Sequence, residues 1–434
     1  MAQFREHDLR HALAGEVHAR PFERLHAPAQ ATHMALLTGE GEGPRDREHL
    51  ATLCRRHGLP PPDDHATHYS GDFGTFRCKW ERHTEFASYT FYSEAAFEDP
   101  FADPAIDRVP RDWLAGIPGQ LLVACHMAIE PRDAPPRAFA DLHRIFAAES
   151  LTGSRMAGGN AEGWTDFRLH ADGFGRILVR DVGLRSRQAG RLMQRLFEIE
   201  TYRMMALLAL PLARRAGSEI SDAATELAGI ADRMTAIEGL DDERAMLGRL
   251  TRLAARIEHL VSGNAYRFSA AQAYYTLVET RIAELREERI EGVQTVREFM
   301  DRRMAPAIRT CETTAGRQDR LAERIARATT LLRTRVEIAM EAQNRDLLRS
   351  MNRRAKLQLR LQETVEGLSV AAISYYLVGL VGYAAKGLHA AGVPLSVELV
   401  TGVSIPLVLL AVWGGMRLLR RRLTRAGAEG ESGD

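Results

Sequence analysis

The sequence predicts an α+β protein: an N-terminal α/β domain with a mainly antiparallel sheet, then a helical hairpin and a long stalk helix, and two C-terminal transmembrane helices. Three observations predict it. Of the 17 prolines, 13 fall in the first 136 residues and only Pro211 and Pro306 lie between 137 and 393, so a long stretch is free of the residue that breaks helix interiors. Runs rich in Tyr, Phe, Thr and Trp, suited to a pleated surface, are confined to the N-terminal part. Two stretches near the C-terminus, 19 and 18 residues long, carry no charge. The 434-residue chain is 45% hydrophobic and 26% charged, enough to bury a core, and its net charge of +1 excludes a protein whose main task is coating nucleic acid.

The N-terminal elements alternate. Thr32 to Leu37 reads as a strand ended by the Gly-rich 39–43, and Glu48 to Arg56 has helical spacing before Gly58 and three prolines. His68 to Tyr92 holds two strand-like runs. Gln120 to Ile129 is a continuous apolar run stopped by Glu130-Pro131, the pattern of a strand covered on both faces. Trp164 to His170 and Arg176 to Val182 flank a turn at Ala171 to Gly175 and predict a hairpin. These define a cytoplasmic α/β domain over residues 1–182.

From Leu184 the apolar period becomes helical. A helix over Gly190 to Leu212 is expected to end near Pro211, followed by a hairpin with turns at Glu238-Gly239 and Ser262-Gly263-Asn264. A long helix is expected to start near Ser269 and to be interrupted only at Pro306. This gives a helical layer over 183–264 and a stalk over 265–366. Along the stalk, Leu321, Ile325, Ala328, Leu332, Val336, Ala339, Gln343 and Leu347 repeat close to eleven residues per three turns. That stripe suits a helix packed within its own chain or an oligomeric, coiled-coil-like stalk, which would extend roughly 90 Å at ~1.5 Å per residue.

The uncharged stretches Gly367 to Ala385 and Leu399 to Met416 are near the length that crosses ~30 Å of hydrocarbon. Spans are placed at 367–388 and 395–419, with a basic cytoplasmic tail over 420–434. Arg353, Arg354, Lys356 and Arg360 precede the first span and Arg417, Arg420, Arg421, Arg422 and Arg425 follow the second, whereas the connection offers only Lys386. Both termini are therefore expected in the cytoplasm, on a multi-pass protein of the inner membrane, and Met1 to Arg20 has no apolar core of a signal peptide.

Candidate chemistry is sparse. His7 and His11 stand one helical turn apart, followed by Glu16, His18 and Arg20, and two such histidines can share a metal, but HExxH order is absent. Asp63, Asp64, His65 and His68 form a second cluster beside a Pro-rich loop. Gly153, Gly158 and Gly159 with Asn160 make a glycine cluster that reads as a turn, because no phosphate-binding loop surrounds it. The acidic pairs Asp241-Asp242 and Glu287-Glu288 read as solvated helix positions. Cys54, Cys78, Cys125 and Cys311 form no CxxC pair and read as reduced thiols. No residue earns a catalytic, cofactor or metal assignment, and no cofactor is named.

At HALAGEVHARPF (His11 to Phe22), WTDFRLHADGFGRILVRD (Trp164 to Asp181) and GRLMQRLFEIETYRMMALLALPLAR (Gly190 to Arg214) the chain resembles a bacterial family of uncharacterised membrane-anchored proteins, domain of unknown function 3422. The resemblance implies a membrane-anchored protein and carries no functional residue. In architecture the chain is more distantly similar to CorA-type magnesium transporters, whose Gly-Met-Asn signature at the outer end of the first span is here replaced by Gly382-Tyr383-Ala384-Ala385-Lys386-Gly387. Lys386 would repel divalent cations at a pore mouth. Two functions are therefore expected from different classes: a noncatalytic membrane-anchored scaffold or sensor, or a divergent CorA-like oligomeric ion transporter. The expected partners are the lipid bilayer and further copies of the chain in a homo-oligomer, with a protein partner unidentified and no nucleic acid.

Overall fold

A computed structural model of the chain describes residues 6–16, 21–39, 43–234, 239–391 and 394–429. They fall into two compact units, the first spanning Met1–Ile237 and Ala245–Thr330, the second Glu238–Arg244 and Leu331–Asp434. In chain order the elements are α1 (Arg10–Glu16), β1 (Ala29–Leu37), α2 (Gly43–Arg56), β2 (His68–Asp72), β3 (Arg77–Arg82), β4 (Phe86–Ser93), α3 (Arg111–Ala115), β5 (Gln120–Glu130), α4 (Phe139–Ile145), β6 (Thr152–Met156), β7 (Ala161–Thr165), β8 (Gly175–Asp181), α5 (Ser186–Leu207), α6 (Ala209–Met234), α7 (Leu240–Leu285), β9 (Glu288–Arg289), α8 (Val296–Arg303), α9 (Ala305–Ala390) and α10 (Val397–Glu429).

In the first unit the nine strands form one sheet in the order β2-β3-β4-β1-β5-β8-β7-β6-β9. Every ladder is antiparallel except β5 with β8. The α+β prediction with a mainly antiparallel sheet is therefore met. The two-residue period of a strand sorts side chains between the faces. On β1, Met34 and Leu36 join Leu50, Leu53 and Cys54 of α2 and Trp113 of α3 on one face. Ala29 and Ala31 of β1 join Met127 and Ile129 of β5 and Leu192, Leu196 and Ile199 of α5 on the other. Helix α4 closes the first face farther along, where Leu142 packs with Trp164 and Leu178. Helix α5 can approach the N-terminal segment because residue 190 is glycine: a Cβ there would lie 1.7 Å from the Glu23 carbonyl oxygen.

Several sequence expectations are corrected. His68 to Tyr92 makes three strands, because Gly74 at φ +89° adds a turn between β2 and β3. Pro211 does not end a helix. The break falls at Leu208, and Pro211 occupies the first turn of α6, where a missing N–H costs nothing. No turn forms at 262–264: α7 continues because Asn264 is itself buried and the apolar stripe runs on from Leu253 and Ile257 to Ala271 and Val278. One interior glycine costs a helix only about 1 kcal/mol, which this burial exceeds.

The long helix expected from Ser269 is instead broken before Pro306, between Leu285 and Val296, where Arg286 (φ 51°) and Gly292 (φ 82°) turn the backbone and β9 joins the sheet edge. Glu287 is not a solvated helix residue: its carboxylate accepts Val296 N–H at 2.9 Å, Arg297 N–H at 3.1 Å and Ser154 Oγ–H at 2.6 Å, capping α8 and holding it to β6. Thr295 and Glu298 complete a reciprocal capping box. Pro306 sits in the first turn of α9. Of the Gly cluster, Gly153 lies in β6, and Gly158 (φ 66°) and Gly159 (φ 79°) form the β6–β7 turn.

In the second unit, α9 and α10 each contain a stretch long and apolar enough to cross a membrane by length and composition. Ser374, Ala385 and Ser404 are buried between them, and a Cβ on Gly382 would touch Thr401 at 3.6 Å, so small residues line their contact. Their other faces expose Leu380, Tyr383, Leu407 and Leu410. A water-facing hairpin would leave these unpaired with anything apolar.

Candidate functional site

One part of the helix-covered sheet face is not apolar. Strand β3 turns Lys79 and Glu81 toward α5 while Cys78 and Trp80 enter the α2-side core; β4 likewise turns Phe86, Ser88, Thr90 and Tyr92 one way and Ala87, Tyr89 and Phe91 the other. Lys79 stands opposite Thr90 and Glu81 opposite Ser88 in the ladder. Above them α5 supplies Gln194, Phe197, Glu198, Thr201 and Tyr202, and α7 supplies Arg281. The space enclosed is a cleft of about 280 Å³.

Its charges are paired across short distances. Lys79 is 4% exposed and its Nζ lies 3.0 Å from Glu81 Oε1. On the roof, Arg281 pairs with Glu198 and, at 3.1 Å, with Glu284, while Gln194 Nε2 donates to Glu198 Oε1 at 2.7 Å. Burial disfavours the Arg281 charge, but Glu198 and Glu284 hold it on.

His33 reaches the cleft from β1. Its Nδ1 lies 2.8 Å from Thr90 Oγ1 and its Nε2 3.0 Å from Thr201 Oγ1, and its ring stacks on Phe197 at 4.9 Å. Burial, with the nearby His83 and Lys79 adding to it, lowers its pKa from 6.5 to about 3. A neutral imidazole engaged at both nitrogens pins α5 to the sheet; no nitrogen is left to take a proton from a ligand.

A second recess, about 630 Å³, adjoins the first through His83, Phe86 and Tyr202. Arg47, Asp64, His65, Arg82 and Tyr274 line it. Glu85 anchors this rim, accepting from Tyr274 Oη at 2.8 Å and from Arg267 at 2.6 Å, which ties the β3–β4 turn to α7.

The residues singled out from sequence are dispersed differently. Asp64 and His65 do line the outer recess, but Asp63, Asp64, His65 and His68 are all exposed. His7 accepts the Leu9 N–H at 3.1 Å and His11 lies 3.0 Å from Glu6; His18 and Arg20 fall outside the described residues. Among the described residues no three His, Cys, Asp or Glu side chains come together as a metal site. The four cysteines are buried and unbridged, and desolvation pushes each thiol up, away from the reactive thiolate. None of the cleft residues belongs to a motif or cluster visible in the sequence. The available signal was the alternation on β3 and β4, where Lys79, Glu81, Ser88 and Thr90 interleave with Cys78, Trp80, Ala87, Tyr89 and Phe91.

A nine-stranded α+β body with a polar cleft, continued by two membrane-length helices, defines a class of protein but no reaction. The chain matches the family described as "Protein of unknown function (DUF3422)" over residues 5–423, and it belongs to that family. No curated protein and no solved structure matches it significantly, so nothing in these comparisons connects it to CorA-type transporters.

Proposed function

We propose that this protein is a noncatalytic sensor anchored in the inner membrane, and that its α+β body binds a small polar ligand bearing an acid group in the cleft between β3, β4 and α5. The observation that carries this reading is the buried Lys79: an ammonium has three donors, and among the described residues Glu81 is its one ion-pair partner. Ser88, Thr90 and Gln194 add hydroxyl and amide groups suited to the rest of such a ligand. The noncatalytic part is supported by His33, engaged at both ring nitrogens, and by thiols held protonated.

The anchor is read as two spans with both termini in the cytoplasm. This rests on the basic residues on either side of the hairpin, Arg353 to Arg360 and Arg417 to Arg425, against Lys386 alone in the connection. A C-terminal tag protected from protease in inverted membrane vesicles would overturn that orientation.

The ligand reading is tested by thermal unfolding of the full chain in lipid nanodiscs against a panel of small carboxylates and phosphate esters. At least one is expected to raise the melting temperature of the wild type and to have no effect on the paired variant Lys79→Met with Glu81→Leu. A panel with no stabilising member, or equal stabilisation of the variant, refutes the cleft as the site.

A further inference from the structure

Helix α9 uses one continuous stripe in two ways. Leu332 and Val336 are buried, Arg335 pairs with Glu243 at 3.2 Å, and Ala339 and Gln343 line a recess with Gly239 and residues 240–242 of α7. Past that point no described residue covers the stripe: every residue from 344 to 365 is exposed. Yet Leu347 is 59% exposed and Leu361 67%, and neither belongs to the membrane stretch.

The spacing changes where the cover ends. Upstream the stripe follows the eleven-residue repeat; from Leu347 it runs Leu347, Met351, Arg354, Gln358, Leu361, Val365 in steps of four and three, a heptad seam. The positions flanking this seam are Leu348, Ala355 and Gln362 on one side and Ser350, Leu357 and Thr364 on the other. None is charged. The charges Arg349, Arg353, Lys356, Arg360 and Glu363 occupy the outer positions. Apart from Arg354, which lies in the seam itself, the basic groups stand outside both flanks, so a copy of this helix meets like charge at one seam position only.

We infer that residues 347–365 of α9 form a parallel homo-oligomeric coiled coil with the same segment of other copies of this chain. Parallel orientation follows because α9 leads without interruption into a membrane-length stretch, so copies anchored in one bilayer run the same way. Uncharged and partly apolar flanks widen the seam beyond what two helices cover and favour three or more. Arg354 and Gln358 are the polar positions in it and set the register at a cost in stability. A helix lying flat on lipid would need its axis in the membrane plane, which the continuous run into the apolar stretch forbids. The inference does not depend on what the cleft binds.

The test is cysteine cross-linking of the full chain in native membranes, where the four natural thiols are buried. Leu361→Cys is expected to form disulfide-linked dimers on mild oxidation with copper phenanthroline, and the neighbouring Arg360→Cys, on the outer face, to form severalfold less. Absence of a link at Leu361→Cys, or equal yields at the two positions, overturns the proposal and leaves lipid or a different protein as the cover. Leu361→Glu should reduce the nanodisc-reconstituted protein to a single copy by mass photometry, and a wild type that is already a single copy overturns the inference. Arg354→Leu, which removes the charge from the seam, is expected to slow subunit exchange about tenfold; unchanged or faster exchange counts against the seam.

Discussion

Mild acidification should destabilise the α+β body through two buried histidines. His33 and His126 are both held neutral: burial lowers the first to about 3 and the second, stacked on Phe174 and 2.9 Å from Thr32 Oγ1, to about 4. In the unfolded chain an imidazole titrates near 6.5, so below that pH the proton binds the unfolded state in preference. The stabilisation is complete above about pH 6.5 and drains as pH falls, by about 1.4 kcal/mol per unit per histidine, until the folded-state values are reached. From pH 7.5 to pH 5 each histidine costs about 2 kcal/mol, or about 4 kcal/mol together. Urea denaturation of the full chain in detergent, followed by the fluorescence of the buried Trp80, Trp113 and Trp164, measures this directly. His126→Gln should keep about half of the pH dependence. A wild-type stability that changes by less than about 1 kcal/mol over this range would refute the claim that both rings stay neutral in the fold.

Three further outcomes follow from packing and charge. Gly190→Ala places a methyl group against the Glu23 backbone and should cost about 3 kcal/mol or more, visible as a lowered melting temperature and faster proteolysis near residue 23. Lys79→Ala leaves the largely covered Glu81 without its ion-pair partner and should cost up to about 3 kcal/mol, whereas Lys79→Met combined with Glu81→Leu should recover most of it; a double-mutant cycle in urea distinguishes the two. Leu380→Arg puts a charge in the middle of the first apolar stretch, where insertion costs about 3 kcal/mol, and should move a measurable fraction of the protein out of the alkaline-resistant membrane fraction.

Strand β1, the doubly covered β5 and the β7–β8 hairpin were legible because each satisfies a local rule: a short apolar run ended by glycines, a longer unbroken apolar run, or a glycine turn between two strand-like runs. The two membrane-length stretches were legible because absence of charge over that length needs no partner to be recognised. The helical layer was less so. Ser262-Gly263-Asn264 has the composition of a turn, and the burial of Asn264, which no local pattern announces, decides for helix. The break at 286–295 was signalled by Gly292 and by the Thr295 to Glu298 capping pattern, but both were masked by an apolar stripe long enough to suggest one helix. The cleft was illegible for a different reason: its residues come from positions near 33, 80, 90, 200 and 281, and nothing local joins them.

The sheet itself argues that this cleft is more than imperfect packing. Helix α5 lies over both halves of one face: over β5 and β8 it meets Met127, Ile129, Ile177 and Val179 and closes tightly, while over β3 and β4 it meets Lys79, Glu81, Ser88 and Thr90 and leaves a cavity. Buried ion pairs contribute little net stability, and well-packed apolar residues in their place are often neutral or better. A sheet selected for stability alone would therefore repeat the β5–β8 pattern across β3 and β4, which already carry apolar residues on their opposite face. Polarity and empty volume coincide at the same four side chains. The ion pairs cost stability that the α2-side core of the same strands can supply, the arrangement that the proposed ligand site requires and that a purely structural contact does not.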